Sequence, residues 1–115
     1  MARARNIKPS IFKNEVLGVA DPLYTLLFEG LWMLADRDGR LEDRPLRIKA
    51  EIFPYRNIEA EPLLVWLTDN KFIIRYKDGE NRYIQVTNFR RWCSSASRET
   101  VAASGAARRD RKSVV

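Results

Sequence analysis

An α+β fold is what the sequence predicts, and three observations predict it. Pro22 opens a run whose large apolar residues recur at helical spacing. Pro62 to Asp69, Pro-Leu-Leu-Val-Trp-Leu-Thr-Asp, reads as a short apolar helix. Directly after it, Phe72 to Val86 alternates in character around Asp78-Gly79, the pattern of a two-stranded hairpin. A helix running into a hairpin whose stem carries Arg75, Lys77 and Arg82 is how a winged helix-turn-helix domain ends. The expected fold is therefore a three-helix bundle with a small antiparallel sheet and a C-terminal β-hairpin wing.

The elements follow in chain order. Residues 1–6 read as a basic flexible arm. Ile7 to Lys13 reads as an extended piece, confined by Pro9 to an edge or loop. Asp21-Pro22 is a good helix start, because Asp caps and Pro suits the first helical position. Leu23, Leu26, Leu27, Gly30, Leu31 and Leu34 then form one apolar stripe, widened by Phe28, Trp32 and Met33. Gly39 supplies a turn position with positive φ, and Arg40 to Glu42 reads as a short strand. A second helix is expected from Asp43, with Pro45 in its first turn and Leu46, Ile48, Ile52 and Phe53 as its apolar members. Pro54 stops it. The third helix has Pro62 in its first turn, Glu61 as cap, and Leu63, Leu64 and Leu67 as its core face. Hairpin loops of two or four residues put Ile74, Tyr76 and Tyr83 on one face and Ile73, Arg75, Ile84 and Val86 on the other. Three helices cannot cover a two-stranded hairpin alone, so the strand near Leu41 is expected to join it. The domain is placed at residues 7–92, followed by a basic Ser/Ala/Arg tail at 93–115 that reads as disordered or a frayed helix.

Length and composition bound the function. The chain has 115 residues, enough for one domain, and 45% of them are apolar, enough for a core. No apolar run approaches the roughly 18 residues a membrane span needs, and no apolar stretch follows the basic start as a signal peptide requires. Cys93 stands alone, so no internal disulfide forms and a cytoplasmic location is expected. The charge of +6 is uneven. Residues 1–13 hold four bases and no acid, residues 90–115 seven bases against two acids, and residues 14–89 ten bases against thirteen acids. Basic arms of this kind grip phosphate backbone without reading sequence.

Several phrases also carry a family resemblance. They are Asn6-Ile-Lys-Pro-Ser-Ile-Phe-Lys-Asn-Glu15, Leu31-Trp-Met-Leu-Ala-Asp-Arg-Asp-Gly-Arg-Leu-Glu-Asp-Arg-Pro45, Arg47-Ile-Lys-Ala-Glu-Ile-Phe-Pro-Tyr55, Phe72-Ile-Ile-Arg-Tyr76 and Tyr83-Ile-Gln-Val86. In this order, over roughly residues 5–90, the chain resembles the N-terminal domain of phage and prophage replication-initiation or replisome-organiser proteins. The resemblance implies a winged helix that binds DNA and acts in replication initiation, where a separate C-terminal region usually recruits the helicase or its loader. This chain departs in having no His, in its Arg/Ser/Ala tail, and in Val65 and Trp66 on the third helix, where relatives carry acidic or polar residues.

The candidate DNA contacts are the arm bases Arg3, Arg5, Lys8 and Lys13, the second-helix group Arg44, Arg47, Lys49 and Arg56, and the wing bases Arg75, Lys77 and Arg82. A two-residue Asp78-Gly79 loop puts Arg75 opposite Arg82, a like-charge pair that wants an anion nearby. The third helix begins with Glu59 and Glu61 and offers only Thr68, Asn70 and Asn57 for base edges, so wing and arms are expected to supply the affinity. Trp66, off the leucine face, and Val65 beside it are read as an exposed protein interface, such as a homodimer contact.

No catalytic site, cofactor or metal is expected. There is no His for a triad or zinc site and no Gly-rich phosphate loop, and Asp36-Arg-Asp-Gly39 lacks the acids of a calcium loop. The reading is a non-enzymatic DNA-binding protein whose partner is double-stranded DNA, with a homodimer and replication proteins such as a helicase or its loader as further partners. The alternatives are a winged-helix protein-interaction module in a phage replication complex and a transcription regulator.

Overall fold

In the computed structural model, which describes residues 2–95, five helices and two small antiparallel sheets surround one core. Strand β1 (Arg5–Ile7) is followed by a 3-10 turn (Pro9–Lys13) and two helices, α1 (Glu15–Val19) and α2 (Pro22–Leu34). Strand β2 (Arg40–Glu42) leads into α3 (Pro45–Ile52) and α4 (Ala60–Asp69). The hairpin strands β3 (Ile73–Asp78) and β4 (Asn81–Val86) precede the short helix α5 (Phe89–Trp92) and strand β5 (Cys93–Ser95).

Helix α2 is the centre of the molecule. Asp21 caps it by accepting from the Leu23 N–H at 2.9 Å, and Pro22 occupies the first turn, as the sequence predicts. Its buried face is rotated from the predicted stripe: Leu27, Phe28, Leu31 and Trp32 are fully enclosed while Leu26 is half exposed. The reason is the aromatics. Phe28 packs against the rings of Trp32, Phe72 and Trp92 at centroid distances of 5.2, 5.3 and 5.6 Å, so the large rings take the core. Gly30 lets α3 come close, since a Cβ there would stand 2.5 Å from Ile52 Cδ1.

Other elements differ in detail from the sequence reading. Pro9–Lys13 coils as a 3-10 turn rather than running extended, and α1 was not expected. Its signal was Asn14, whose side chain accepts from the Leu17 N–H at 3.0 Å. Helix α3 starts at Pro45 instead of Asp43, because Asp43 is buried beneath the hairpin. Leu46, a core member by the sequence pattern, is 88% exposed, while Ile48 and Phe53 are buried. Helix α4 starts at Ala60, with Glu59 rather than Glu61 in the cap position. It ends in a Schellman motif: Phe72 N–H donates to Leu67 O at 2.9 Å and Lys71 N–H to Thr68 O at 3.0 Å, with Lys71 left-handed at φ 66°.

The three-stranded sheet has the order β2-β4-β3, so the short strand does join the hairpin, through its second strand. The predicted face assignment holds: Ile73, Ile84 and Val86 are buried together on the helix side. The pairing differs from the two-residue Asp78-Gly79 loop by two residues. Asp78 pairs with Asn81 across Gly79-Glu80, Gly79 taking φ 71°. Arg75 therefore faces Ile84, and it is Lys77 that faces Arg82.

A second sheet pairs β1 with β5, Arg5 opposite Ser95 and Ile7 opposite Cys93. The arm placed at 1–6 and the tail placed from 93 thus each give residues to a sheet, and the structured region is wider than 7–92. Residues 96–115, the rest of the predicted tail, lie outside the described residues. Among the described residues no helix is long and apolar enough to cross a membrane.

Candidate nucleic-acid interface

Arg75 sits on the inner face of β3, under the start of α4. Its Nε and Nη2 donate to the two Asp43 oxygens at 2.7 and 3.0 Å. Its Nη1 and Nη2 also donate to the two Glu61 oxygens at 3.0 and 2.8 Å. Asp43 is only 4% exposed, so this is a partly buried carboxylate–guanidinium–carboxylate clamp joining β3, the entry to α3 and the start of α4. Hydrogen bonds from Arg75 hold the Glu61 carboxyl below the usual glutamate range. Bonds from Glu61 and Asp43 in turn raise the already high pKa of the guanidinium. Arg75, expected on the wing as a phosphate contact, is engaged inside the protein.

The tip of the hairpin is different. Lys77 and Arg82 stand directly opposite one another, both exposed, with no carboxylate within ion-pair distance among the described residues. Directly opposed like charges weaken a strand pair. Arg82 also contributes to the field that lowers the Glu61 pKa.

The remaining predicted cations divide in the same way. Arg44 and Arg47 both lean on Glu42, at 3.2 and 3.7 Å, and not on Glu51. All three side chains are about half exposed or more, so these pairs hold little energy and open readily. Lys49 is half-buried, while Arg56 is exposed beside Tyr55, which is 99% exposed. Arg5 is structural. Its guanidinium donates to the carbonyls of Trp32, Ala35 and Asp36 at 3.2, 2.9 and 3.2 Å, closing the C-terminal end of α2, and it lies 5.2 Å from the Phe89 ring centroid. Lys8 donates to the Arg90 carbonyl, and Arg3 and Lys13 are exposed.

Helix α4 offers no base to a nucleic acid. Its outward residues are Glu61, Pro62, Val65 and Asp69. Thr68 and Asn70 turn back onto the helix, donating to Leu64 O at 2.8 Å and Trp66 O at 2.9 Å. Trp66, predicted as an exposed interface residue, is instead packed between two rings. It stacks on Tyr24 at 4.1 Å and 19°, and on Phe72 at 6.2 Å and 16°. Only Val65 of that pair remains substantially exposed.

Two surfaces were missed by sequence reasoning. Arg37 meets Arg90 and Arg91, more than fifty residues further along the chain, around one groove of about 420 Å³. Phe12 and Val19 are 76% and 88% exposed, and Phe12 lines a shallow hollow with Leu26. Neither was legible, since each depends on which turn packs against which helix. No cluster of metal-ligating side chains occurs among the described residues.

Comparison with known protein families, curated proteins and solved structures gave no significant match.

Proposed function

We propose that this chain is a winged-helix DNA-binding protein of the phage or prophage replication-initiation type, acting on double-stranded DNA without catalysis or cofactor. The fold reading is supported by the order α2-β2-α3-α4-β3-β4 and by the sheet order β2-β4-β3, in which the lone strand joins the hairpin through its second strand. The replication role rests on the sequence resemblance. The observation that carries DNA binding is the opposed pair Lys77 and Arg82 at the hairpin tip. The fold tolerates an unfavourable contact there that an anionic partner would relieve.

The contact is to phosphate rather than to base edges, because α4 presents acids, Pro62 and Val65 where a recognition helix presents Arg, Lys, Asn or Gln. That same face favours a second reading, a protein-docking module within a replication complex. The two separate in one titration. A labelled duplex is followed by fluorescence anisotropy as salt is raised, with wild type and with Lys77→Gln/Arg82→Gln. The DNA reading expects wild-type binding at low salt and a log–log salt slope flatter by about 1.8 in the double variant. Absence of wild-type binding at low salt would leave the docking reading.

A further inference from the structure

The far end of β4 carries a second cationic site. The Gly39 carbonyl accepts from the Val86 N–H at 2.8 Å, and Gln85 Nε2 donates to the Asp38 carbonyl at 2.8 Å. Gly39 itself, at φ 83°, lies so close to Phe89 that a Cβ would stand 2.8 Å from the ring. These contacts lock the turn before β2 against α5. Arg37 lines the groove together with Arg90 and Arg91 from α5, and with Gln85 and Asn88.

The groove is short of negative charge. All three arginines are exposed, and none has a carboxylate within ion-pair distance among the described residues. The one acid lining it, Asp38, is held by Arg40 at 3.0 Å. The Arg91 guanidinium lies 5.4 Å from the Trp92 ring centroid, which limits its directions. Planar forks of this kind match phosphate oxygens, and the Asn88 amide adds a neutral donor.

We propose that this groove binds the phosphodiester backbone of DNA through Arg37, Arg90 and Arg91, as a contact separate from the hairpin tip. The inference rests on the DNA-binding reading above. Four residue steps of β4, about 14 Å of strand, separate Arg82 at the tip from Val86 at the groove. That exceeds the Debye length of about 8 Å at physiological salt, so the sites contribute independently.

The test uses the full chain and a fluorescently labelled 20-base-pair duplex titrated at several salt concentrations. Three proteins join the wild type: Arg37→Gln/Arg90→Gln/Arg91→Gln, the matching triple Lys variant, and Lys77→Gln/Arg82→Gln. Thermal melts establish that each is folded. The triple Gln variant is expected to bind about 10- to 100-fold more weakly at low salt, with a slope flatter by about 2.7. The triple Lys variant, which keeps the charge, is expected within a few-fold of wild type. Wild-type affinity in the triple Gln variant, with the hairpin-tip variant still weakened, overturns the groove and leaves the DNA reading standing. Equal weakening in the Gln and Lys triples assigns the loss to altered packing and also overturns the groove. No binding by the wild type removes both.

Discussion

The stem and the tip of one hairpin treat positive charge in opposite ways. At the stem, Arg75 is enclosed by Asp43 and Glu61 with four hydrogen bonds between 2.7 and 3.0 Å. At the tip, Lys77 and Arg82 face each other in solvent with no paired carboxylate among the described residues. All three look alike in sequence, each next to a tyrosine on its strand. The difference teaches that a base on a hairpin is a candidate nucleic-acid contact only after its partners in the fold are known. It also gives the clamp a second role. On the proposed DNA-binding reading, drawing Glu61 onto Arg75 would offset one of the acids at the start of α4 that would otherwise repel phosphate.

The strongest way to break this comparison is at the stem. Arg75→Met leaves Asp43 buried without its cation and is expected to cost about 3–5 kcal/mol in urea unfolding. A loss below about 1 kcal/mol would mean that Asp43 is not sealed and that stem and tip differ little. A second contrast lies within α4. Trp66→Ala removes a ring packed between Tyr24 and Phe72 and is expected to cost about 2–4 kcal/mol. Val65→Ser should stay within about 0.5 kcal/mol. Similar costs at the two positions would put Trp66 back on the surface.

The clamp also carries a pH signature. The folded-state pKa of Glu61 lies below its unfolded value, so the group contributes stability above the ordinary glutamate range and loses it as pH falls through the depressed value. Wild type should therefore be more stable than Glu61→Gln at pH 7, with the gap closing in acid. A gap independent of pH would show that charge is not what Glu61 supplies. A smaller effect is expected at the end of α4. Lys71 occupies the left-handed position of the Schellman motif, and Lys71→Gly should raise stability by about 0.5–1 kcal/mol.

Local signals carried much of the fold into the sequence. Asp21-Pro22, Gly39 and the strand alternation from Ile73 to Val86 each act through neighbouring residues, and each is where the sequence puts it. The hairpin register was not legible, because shifting the pairing by two residues leaves every side chain on the same face. Nor was the face of Trp66. Residues 63–67 are all apolar, so periodicity cannot choose a side, and the choice was made by Tyr24 and Phe72. The site was less legible still. Arg75 finds Asp43 thirty-two residues away, and Arg37 meets Arg90 only because Gly39 packs on Phe89. A charge count along the chain sees none of these partners.

The measurement that bears most directly on the account is made on Lys77→Glu, followed for both folding and DNA binding. Replacing one of two opposed cations by an acid should raise stability by about 0.2–1 kcal/mol while weakening duplex binding at low salt by about tenfold or more. Opposite signs in the two assays are the predicted result. Unchanged DNA binding together with unchanged or lower stability would contradict it, and would return the hairpin tip to an ordinary solvated edge.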